Sequence, residues 1–219
     1  MRSVLAHGAG AGPGRLQRHA WPRRPVRAHR AGRHAAPRRC GGGAVSRGHC
    51  ILSHGFESGP DAIKVTALAE VAERLGWSHS RPDYTDLDAR RDISPLGDVP
   101  TRLQRLLELA QAAAQRGPLV LAGSSLGAYI AAQVSLHVPV RGLFLMVPPT
   151  RMGHMPALDA APVPTSVVHA WRDELIPAAE VIAWAQARAA RLLLVDDTHR
   201  LGEHVATSAQ AFAELLERL

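Results

Sequence analysis

Acidic residues are absent from the first 47 positions of the chain, which contain eleven arginines and no Asp or Glu. The remaining residues carry 15 Lys and Arg against 19 Asp and Glu, so the net charge of +7 comes entirely from that first segment. A strongly basic protein is a candidate for binding nucleic acid phosphates. Because the body of this chain is mildly acidic, the charge distribution argues against nucleic acid as its partner.

Cysteine and long apolar runs are scarce as well. Cys40 and Cys50 make no disulfide framework, and their spacing matches no zinc-binding pattern. We expect Cys50 to be a small core residue and the protein to work in a reducing cytoplasm. No apolar run approaches the roughly 18 residues that a membrane span needs. The sequence therefore predicts no membrane span, and the chemistry inferred below needs neither a metal nor an organic cofactor.

Large apolar side chains are few in residues 1–47, which are rich in Arg, Gly and Pro and show no helical or strand periodicity. Such a segment cannot bury a core, so we predict that it is disordered. Three interpretations of this segment remain open. It is a native arginine-rich arm, it is a targeting segment, or it is the translation of upstream codons of a GC-rich gene whose start was assigned too early. The single lysine of the body, Lys64, fits a GC-rich source. We predict that the ordered domain covers residues 48–219.

Short apolar runs alternate with amphipathic stretches throughout that domain. The runs are continuous, which is typical of strands that are buried on both faces. The stretches between them, such as residues 61–75, place apolar side chains at helical spacing, whereas residues 85–97 form a polar stretch. We predict an α/β fold, a three-layer αβα sandwich with a mostly parallel sheet of about six strands. The active site should then lie at the carboxyl ends of the strands.

One strand end carries a nucleophile motif. The apolar run 119–122 breaks into Gly123-Ser124-Ser125-Leu126-Gly127 and continues as a predicted helix. This is the G-x-S-x-G pattern in its strand–turn–helix setting, where the serine occupies a sharp turn and a Cβ at either glycine would collide with that turn. The pattern predicts that the Ser125 hydroxyl is presented clear of the backbone.

Three further strand ends carry polar motifs. The first strand runs into His54-Gly55-Phe56, and a later one runs into His169-Ala170-Trp171-Arg172-Asp173. The last strand runs into Asp196-Asp197-Thr198-His199. Since parallel strands end at the same edge of a sheet, these motifs should meet the serine there.

The four motifs, taken in this order, resemble those of the α/β-hydrolase superfamily, in particular a small esterase-like member with almost no lid. The resemblance implies that Ser125 is the nucleophile, that His199 is its general base and that Asp173 orients the imidazole. It also implies an oxyanion hole formed by the backbone amides of Phe56 and Leu126. Departures from larger members are the absence of the first antiparallel strands and of a cap domain.

Neighbouring residues leave an alternative for each role. His204 is the rival base, although we predict that it begins the last helix. Glu174 is the rival acid, and the amide of Glu57 is the rival oxyanion donor. Asp196 and Asp197 are interpreted as a solvated turn pair.

Other residues near the predicted site are interpreted as structural. His54 is expected to orient its loop rather than to act as a second base. Four side chains could line an acyl pocket, although packing is the commoner use of such residues: Tyr129, Met146, Met152 and Met155.

The function predicted from the sequence is a serine hydrolase of small ester or thioester substrates, working through an acyl-enzyme. The alternatives are a peptidase or lyase on the same scaffold, or a non-catalytic binding protein that retains the fold. The basic segment leaves open a nucleic-acid-associated arm. The sequence does not indicate an oligomeric state.

Overall fold

The computed structural model describes residues 46–219, so the disorder predicted for residues 1–47 falls almost wholly outside the described part and stays a prediction. Within the described part, strands and helices alternate in the order β1 (His49–Ser53), α1 (Ile63–Arg74), β2 (Ser78–Ser80), α2 (Thr85–Asp88), α3 (Val99–Ala114), β3 (Leu119–Ser124), α4 (Leu126–Ser135), β4 (Gly142–Met146), β5 (Thr165–Ala170), α5 (Ala178–Ala187), β6 (Arg191–Val195) and α6 (Val205–Glu217).

The strands form one six-stranded sheet in the order β2-β1-β3-β4-β5-β6, and each neighbouring pair is parallel. The predicted α/β sandwich is therefore confirmed, and within residues 46–219 the sheet is parallel throughout. The chain leaves β1 toward β2 on one side and returns to β3 on the other. This reversal creates a crevice between the carboxyl ends of β1 and β3, where ligands of open parallel sheets bind.

Two apolar cores cover the two faces of the sheet. Along β3, Leu119 and Leu121 pack into the core shared with α3, α4 and α5, whereas Val120 and Ala122 pack into the core shared with α1 and α6. Successive residues of a strand point to opposite faces. Both faces of the sheet are buried, which explains why the central strand is a continuous apolar run.

The Asp98 side chain caps the start of helix α3 by accepting from the Thr101 amide at 3.0 Å. The polar stretch 85–97, to which the sequence assigns no element, contains the short helix α2. A helix of four residues is barely one turn, which is too short to show a hydrophobic period. No helix in residues 46–219 has the length and apolar character needed to cross a membrane.

Candidate active site

Ser125 occupies the junction between β3 and α4 with φ 54° and ψ −121°. A non-glycine residue there is strained, at a cost on the order of 1–3 kcal/mol. Hydrogen bonds to the amide and to the carbonyl of Ser125 hold the residue in this strained conformation. The Ser125 amide donates to the Met146 carbonyl at 2.9 Å, and the Ser125 carbonyl accepts from the amides of Ala128 and Tyr129 at 2.9 and 3.1 Å.

The flanking glycines are required by close backbone approaches. A Cβ at Gly123 would collide with the Gly127 carbonyl, and a Cβ at Gly127 would collide with the carbonyl oxygens of Ser53 and His54. The turn therefore packs directly against the end of β1. This contact brings the loop after β1, here named the β1 loop (residues 54–58), beside the serine.

The structure brings Ser125, His199 and Asp173 into one hydrogen-bonded line. Oγ of Ser125 lies 2.9 Å from Nε2 of His199, and Nδ1 of His199 lies 2.9 Å from Oδ2 of Asp173. Because a carboxylate only accepts, Nδ1 of His199 is the donor. Nε2 of the neutral ring is then the acceptor for the serine hydroxyl, which is the arrangement that a general base requires.

The carboxylate of Asp173 lies in the acid loop (residues 171–177) between β5 and α5. Its Oδ1 accepts from the amides of Leu175 and Ile176 at 2.9 and 2.8 Å, while Oδ2 accepts from His199. Burial raises the pKa of this carboxyl, but the hydrogen bonds from His199 and the two amides outweigh it and hold the pKa below its ordinary value. Asp173 is therefore a fixed anion beneath the imidazole.

His169, near the end of β5, is a further buried residue of this region that the sequence interpretation did not single out. Its Nε2–H donates to the Ile176 carbonyl at 3.1 Å, and its Nδ1 lies 3.8 Å from Oδ2 of Asp173. Burial lowers the pKa of His169 below its ordinary value. The sequence does carry a signal for this contact, because His169 precedes Asp173 by four residues at the end of a predicted strand.

The base loop (residues 196–204) corrects one prediction. Asp197 is not part of a solvated turn pair, because it is only 4% exposed and accepts three hydrogen bonds. The donors are the Thr198 amide, the Glu203 amide and Nδ1 of His204, at 2.7, 3.0 and 3.1 Å. Asp196 is exposed as predicted. His204 is the N-cap residue of α6 and is paired with Asp197 rather than with Ser125.

Two more contacts hold the base loop. Oε2 of Glu174, the rival acid, accepts from the His199 amide at 3.1 Å, so it holds the backbone and not the ring. The ammonium of Lys64 donates to the Arg200 carbonyl at 2.8 Å. Burial lowers the pKa of Lys64 to about 8, although Asp197 and Asp173 oppose the shift.

The predicted oxyanion donors lie on either side of the crevice. Phe56 is in the β1 loop and Leu126 is the first residue of α4, and neither amide has a hydrogen-bond acceptor among residues 46–219. The rival amide, that of Glu57, already donates to Oδ2 of Asp88 at 3.1 Å. The geometry therefore favours Phe56 over Glu57.

His54 is buried and has both ring nitrogens engaged. Its Nδ1–H donates to the Gly55 carbonyl at 2.7 Å, and its Nε2 accepts from the Tyr84 amide at 3.0 Å. Burial lowers the pKa of His54, which favours this neutral form. Tyr129 and Met146 are fully buried in the cores, as expected for packing residues.

A cavity of about 340 Å³ lies beside the β1 loop. It is lined by Glu57, Ser58, Thr85, Asp88, Ala89 and Arg91. Ser125, Asp173 and His199 are not among these residues, so the cavity is separate from the hydrogen-bonded line.

A strained serine between a parallel strand and a helix, with a histidine and a carboxylate behind it, is the arrangement of alpha/beta hydrolases. The model of the alpha/beta hydrolase family matches residues 4–218. The chain belongs to this family.

Solved structures agree with this assignment. An alpha/beta-superfamily protein from Xanthomonas campestris pv. campestris is 78% identical, with a TM-score of 0.79 over 79% of this chain and 100% of that one. The Pyrococcus furiosus esterase Pf2001 is 14% identical, with a TM-score of 0.62 over 79% and 83%. Est1E from Butyrivibrio proteoclasticus is 16% identical, with a TM-score of 0.62 over 80% and 89%. No functionally curated protein matches the chain.

Proposed function

We propose that the protein is a serine hydrolase that cleaves the ester or thioester bond of a small acyl substrate through an acyl-enzyme intermediate. The observation that carries the proposal is the line from Ser125 through His199 to Asp173, in which both hydrogen bonds are 2.9 Å long. A serine hydroxyl is a poor nucleophile unless an adjacent base removes its proton. A neutral imidazole with its acceptor nitrogen on the hydroxyl supplies that base.

In the acylation step, Ser125 Oγ attacks the carbonyl carbon of the substrate while Nε2 of His199 takes the hydroxyl proton. Asp173 stabilises the imidazolium that forms and keeps Nδ1 as the donor. The carbonyl oxygen becomes an oxyanion, which the amides of Phe56 and Leu126 stabilise. When the tetrahedral intermediate collapses, the bond to the leaving group breaks, and His199 returns its proton to the departing alcohol or thiol.

Deacylation repeats these steps with water as the nucleophile. His199 removes a proton from water, hydroxide adds to the acyl carbon, and Ser125 leaves with the proton that His199 gives back. The products are a carboxylic acid and the free serine.

Support for a small substrate comes from the short Pro- and Ala-rich segment 152–164 after β4, which contains no helix or strand. The structural neighbour from Pyrococcus furiosus is named as an esterase. At that level of identity the likeness carries the fold, so the substrate has to be tested directly.

The test is to treat the protein with a fluorophosphonate probe, map the adduct by mass spectrometry, and assay nitrophenyl esters and matched thioesters of increasing acyl length. We expect the adduct on Ser125 and turnover of short acyl chains. Ser125→Ala should lose the adduct and about 10⁴-fold or more in kcat. The adjacent Ser124→Ala is the matched control and should keep the adduct.

Each negative result points to a different alternative. An adduct on Ser125 without ester or thioester turnover would favour a peptidase or lyase. Neither adduct nor turnover would leave a non-catalytic binding protein and reject the hydrolase proposal.

A further inference from the structure

A buried arginine lies directly beneath the β1 loop. Arg102 of α3 is only 1% exposed, and its Nη1 donates to Oδ1 of Asp88 at 2.5 Å. Its Nη2 donates to the His54 carbonyl and also reaches the Gly55 carbonyl at 3.4 Å. The guanidinium carbon lies 4.4 Å from the centroid of the Tyr84 ring. A cation in the core is therefore aimed at two successive carbonyls of this loop.

The Gly55 carbonyl belongs to the same peptide unit as the Phe56 amide. In a trans peptide the C=O and N–H bonds point in opposite directions, so holding the oxygen fixes the direction of the N–H. The Gly55 oxygen accepts from both Arg102 and Nδ1–H of His54. Two donors on the oxygen, one of them cationic, also polarise the peptide and strengthen its N–H as a donor.

The ion pair anchors the loop on both sides of that peptide. Oδ2 of Asp88 accepts from the Glu57 amide at 3.1 Å, while Arg102 holds the carbonyls of His54 and Gly55. The amide of Phe56 lies between these anchored groups and has no acceptor among residues 46–219.

We propose that Arg102 is a positioning residue for the reaction, which aims and polarises the Phe56 amide as an oxyanion donor. This inference rests on the proposed function. Arg102 touches neither the substrate nor Ser125, and it acts through the Gly55–Phe56 peptide. The fork of the guanidinium is needed because one side chain must reach Asp88 and the two carbonyls together.

A matched control exists on the same helix. Arg105 is three residues further along α3 and pairs with Asp86 of α2 at 2.7 Å, but it is partly exposed and makes no contact with the β1 loop. Arg102→Met and Arg105→Met therefore each remove an arginine–aspartate pair between α2 and α3. Only the first removes a group that holds the loop.

The experiment measures kcat and KM on a nitrophenyl ester, together with the Ki of a trifluoromethyl ketone, whose adduct places an oxyanion in the hole. We expect Arg102→Met to lower kcat by about 10- to 100-fold and to raise the Ki by a similar factor, with KM within about threefold of wild type. Arg105→Met should change each quantity less than about twofold. Arg102→Lys, which keeps the charge and loses the fork, should give an intermediate kcat.

Loss of folding has to be separated from loss of positioning. Removing Arg102 alone leaves the Asp88 carboxylate buried without its partner, which is destabilising, whereas replacing both charges with apolar groups is often tolerated. Arg102→Met with Asp88→Leu should therefore regain much of the urea midpoint that Arg102→Met loses, and kcat should stay low. A double variant that regains both midpoint and kcat would overturn the inference.

Hydrogen exchange of the peptide covering residues 54–58 gives a readout that does not need turnover. We expect exchange there to be at least about tenfold faster in Arg102→Met and unchanged in Arg105→Met. If the wild type hydrolyses no ester, the proposed function fails, and unchanged exchange would additionally show that Arg102 does not hold the loop. If the wild type is active and the two arginine variants behave alike, only the role of Arg102 is rejected.

Discussion

The two sides of the candidate site are anchored by opposite chemistry. The β1 loop is held mainly through its carbonyl oxygens, which accept from the buried guanidinium of Arg102 and from His54. The acid and base loops are held mainly through their amides, which donate to the buried carboxylates of Asp173 and Asp197. The main anchor of one side is a cation, and the main anchors of the other side are anions, although Asp88 also holds an amide of the β1 loop and Lys64 also holds a carbonyl of the base loop.

The difference matches what each side has to present. Anchoring by carbonyls leaves a backbone N–H available, and an N–H is what a developing oxyanion needs. Anchoring by amides to carboxylates places negative charge beneath His199, and negative charge is what a developing imidazolium needs. The charge of the group that mainly holds each loop therefore favours the catalytic step proposed for that loop.

The two buried aspartates of the acid and base loops provide the sharpest test, because each accepts a hydrogen bond from one histidine. Asp173→Asn should lower kcat by about 10⁴-fold, since an amide can stabilise the wrong tautomer of His199. Asp197→Asn should lower kcat less than about tenfold while costing about 1–3 kcal/mol of stability, since it weakens buried hydrogen bonds around His204. Steady-state kinetics and urea denaturation measure the two effects. Equal losses of kcat would show that the anions share one structural role.

The contact between the serine turn and the end of β1 is tested at Gly127. A Cβ there would collide with the carbonyls of Ser53 and His54, so Gly127→Ala should separate the serine turn from the β1 loop and cost about 3 kcal/mol or more. Gly59→Ala is the control, because a Cβ at that position meets no atom within 4 Å. Thermal unfolding followed by circular dichroism compares the variants, and similar midpoints would contradict the close approach.

The pH dependence of stability should reflect the buried histidines on both sides. Burial lowers the pKa of His54 in the β1 loop and of His169 near the end of β5 below the ordinary value near 6.5. Between the folded and unfolded pKa values the unfolded chain binds more protons, so their contribution is complete above about pH 6.5 and is lost as the pH falls. A histidine that is protonated in the unfolded chain and neutral in the folded protein contributes a slope of about 1.4 kcal/mol per pH unit to the free energy of unfolding.

Urea denaturation at pH 7.5, 6.5 and 5.5 measures that slope. His169→Gln should reduce the slope by the contribution of one histidine, because glutamine does not titrate. A wild-type stability that is constant from pH 7.5 to 5.5 would contradict the assignment of these histidines as neutral and buried.

The smallest effect is expected next to Asp197. Asp196 pairs with Arg172 at 2.6 Å, but both side chains are mostly exposed. Asp196→Asn should change stability by less than about 0.5 kcal/mol, since exposed pairs contribute little. Side-by-side urea curves for Asp196→Asn and Asp197→Asn check this. A comparable loss in both would mean that burial does not distinguish the two aspartates.

The sheet could be predicted from the sequence because strands that are buried on both faces leave a one-dimensional signature, the continuous apolar run. The same holds for the turn at Ser125, whose two glycines are demanded by local backbone contacts. The positions of Ser125, Asp173 and His199 follow from strand ends. Their catalytic roles stay predictions until the labelling and kinetic experiments are made.

Sequence patterns could not predict which charged side chains are buried. Asp196 and Asp197 are the same residue type in the same loop, and only the fold places one in solvent and one in the interior. Arg102 lies on an amphipathic helix, where an arginine normally marks the exposed face. It is buried because Asp88 and the carbonyls of the β1 loop meet it there, and both come from distant parts of the chain.

Lys64 offers a site at which a label can be attached next to the base loop. It is the only lysine in 219 residues, and its ammonium contacts the carbonyl of the residue that follows His199. Burial lowers the pKa of this amine to about 8, so a larger share of it is neutral in mildly alkaline buffer than for an ordinary lysine. An amine-directed fluorophore or isotope tag would therefore label one side chain besides the chain terminus, and it would report on the loop that carries the histidine.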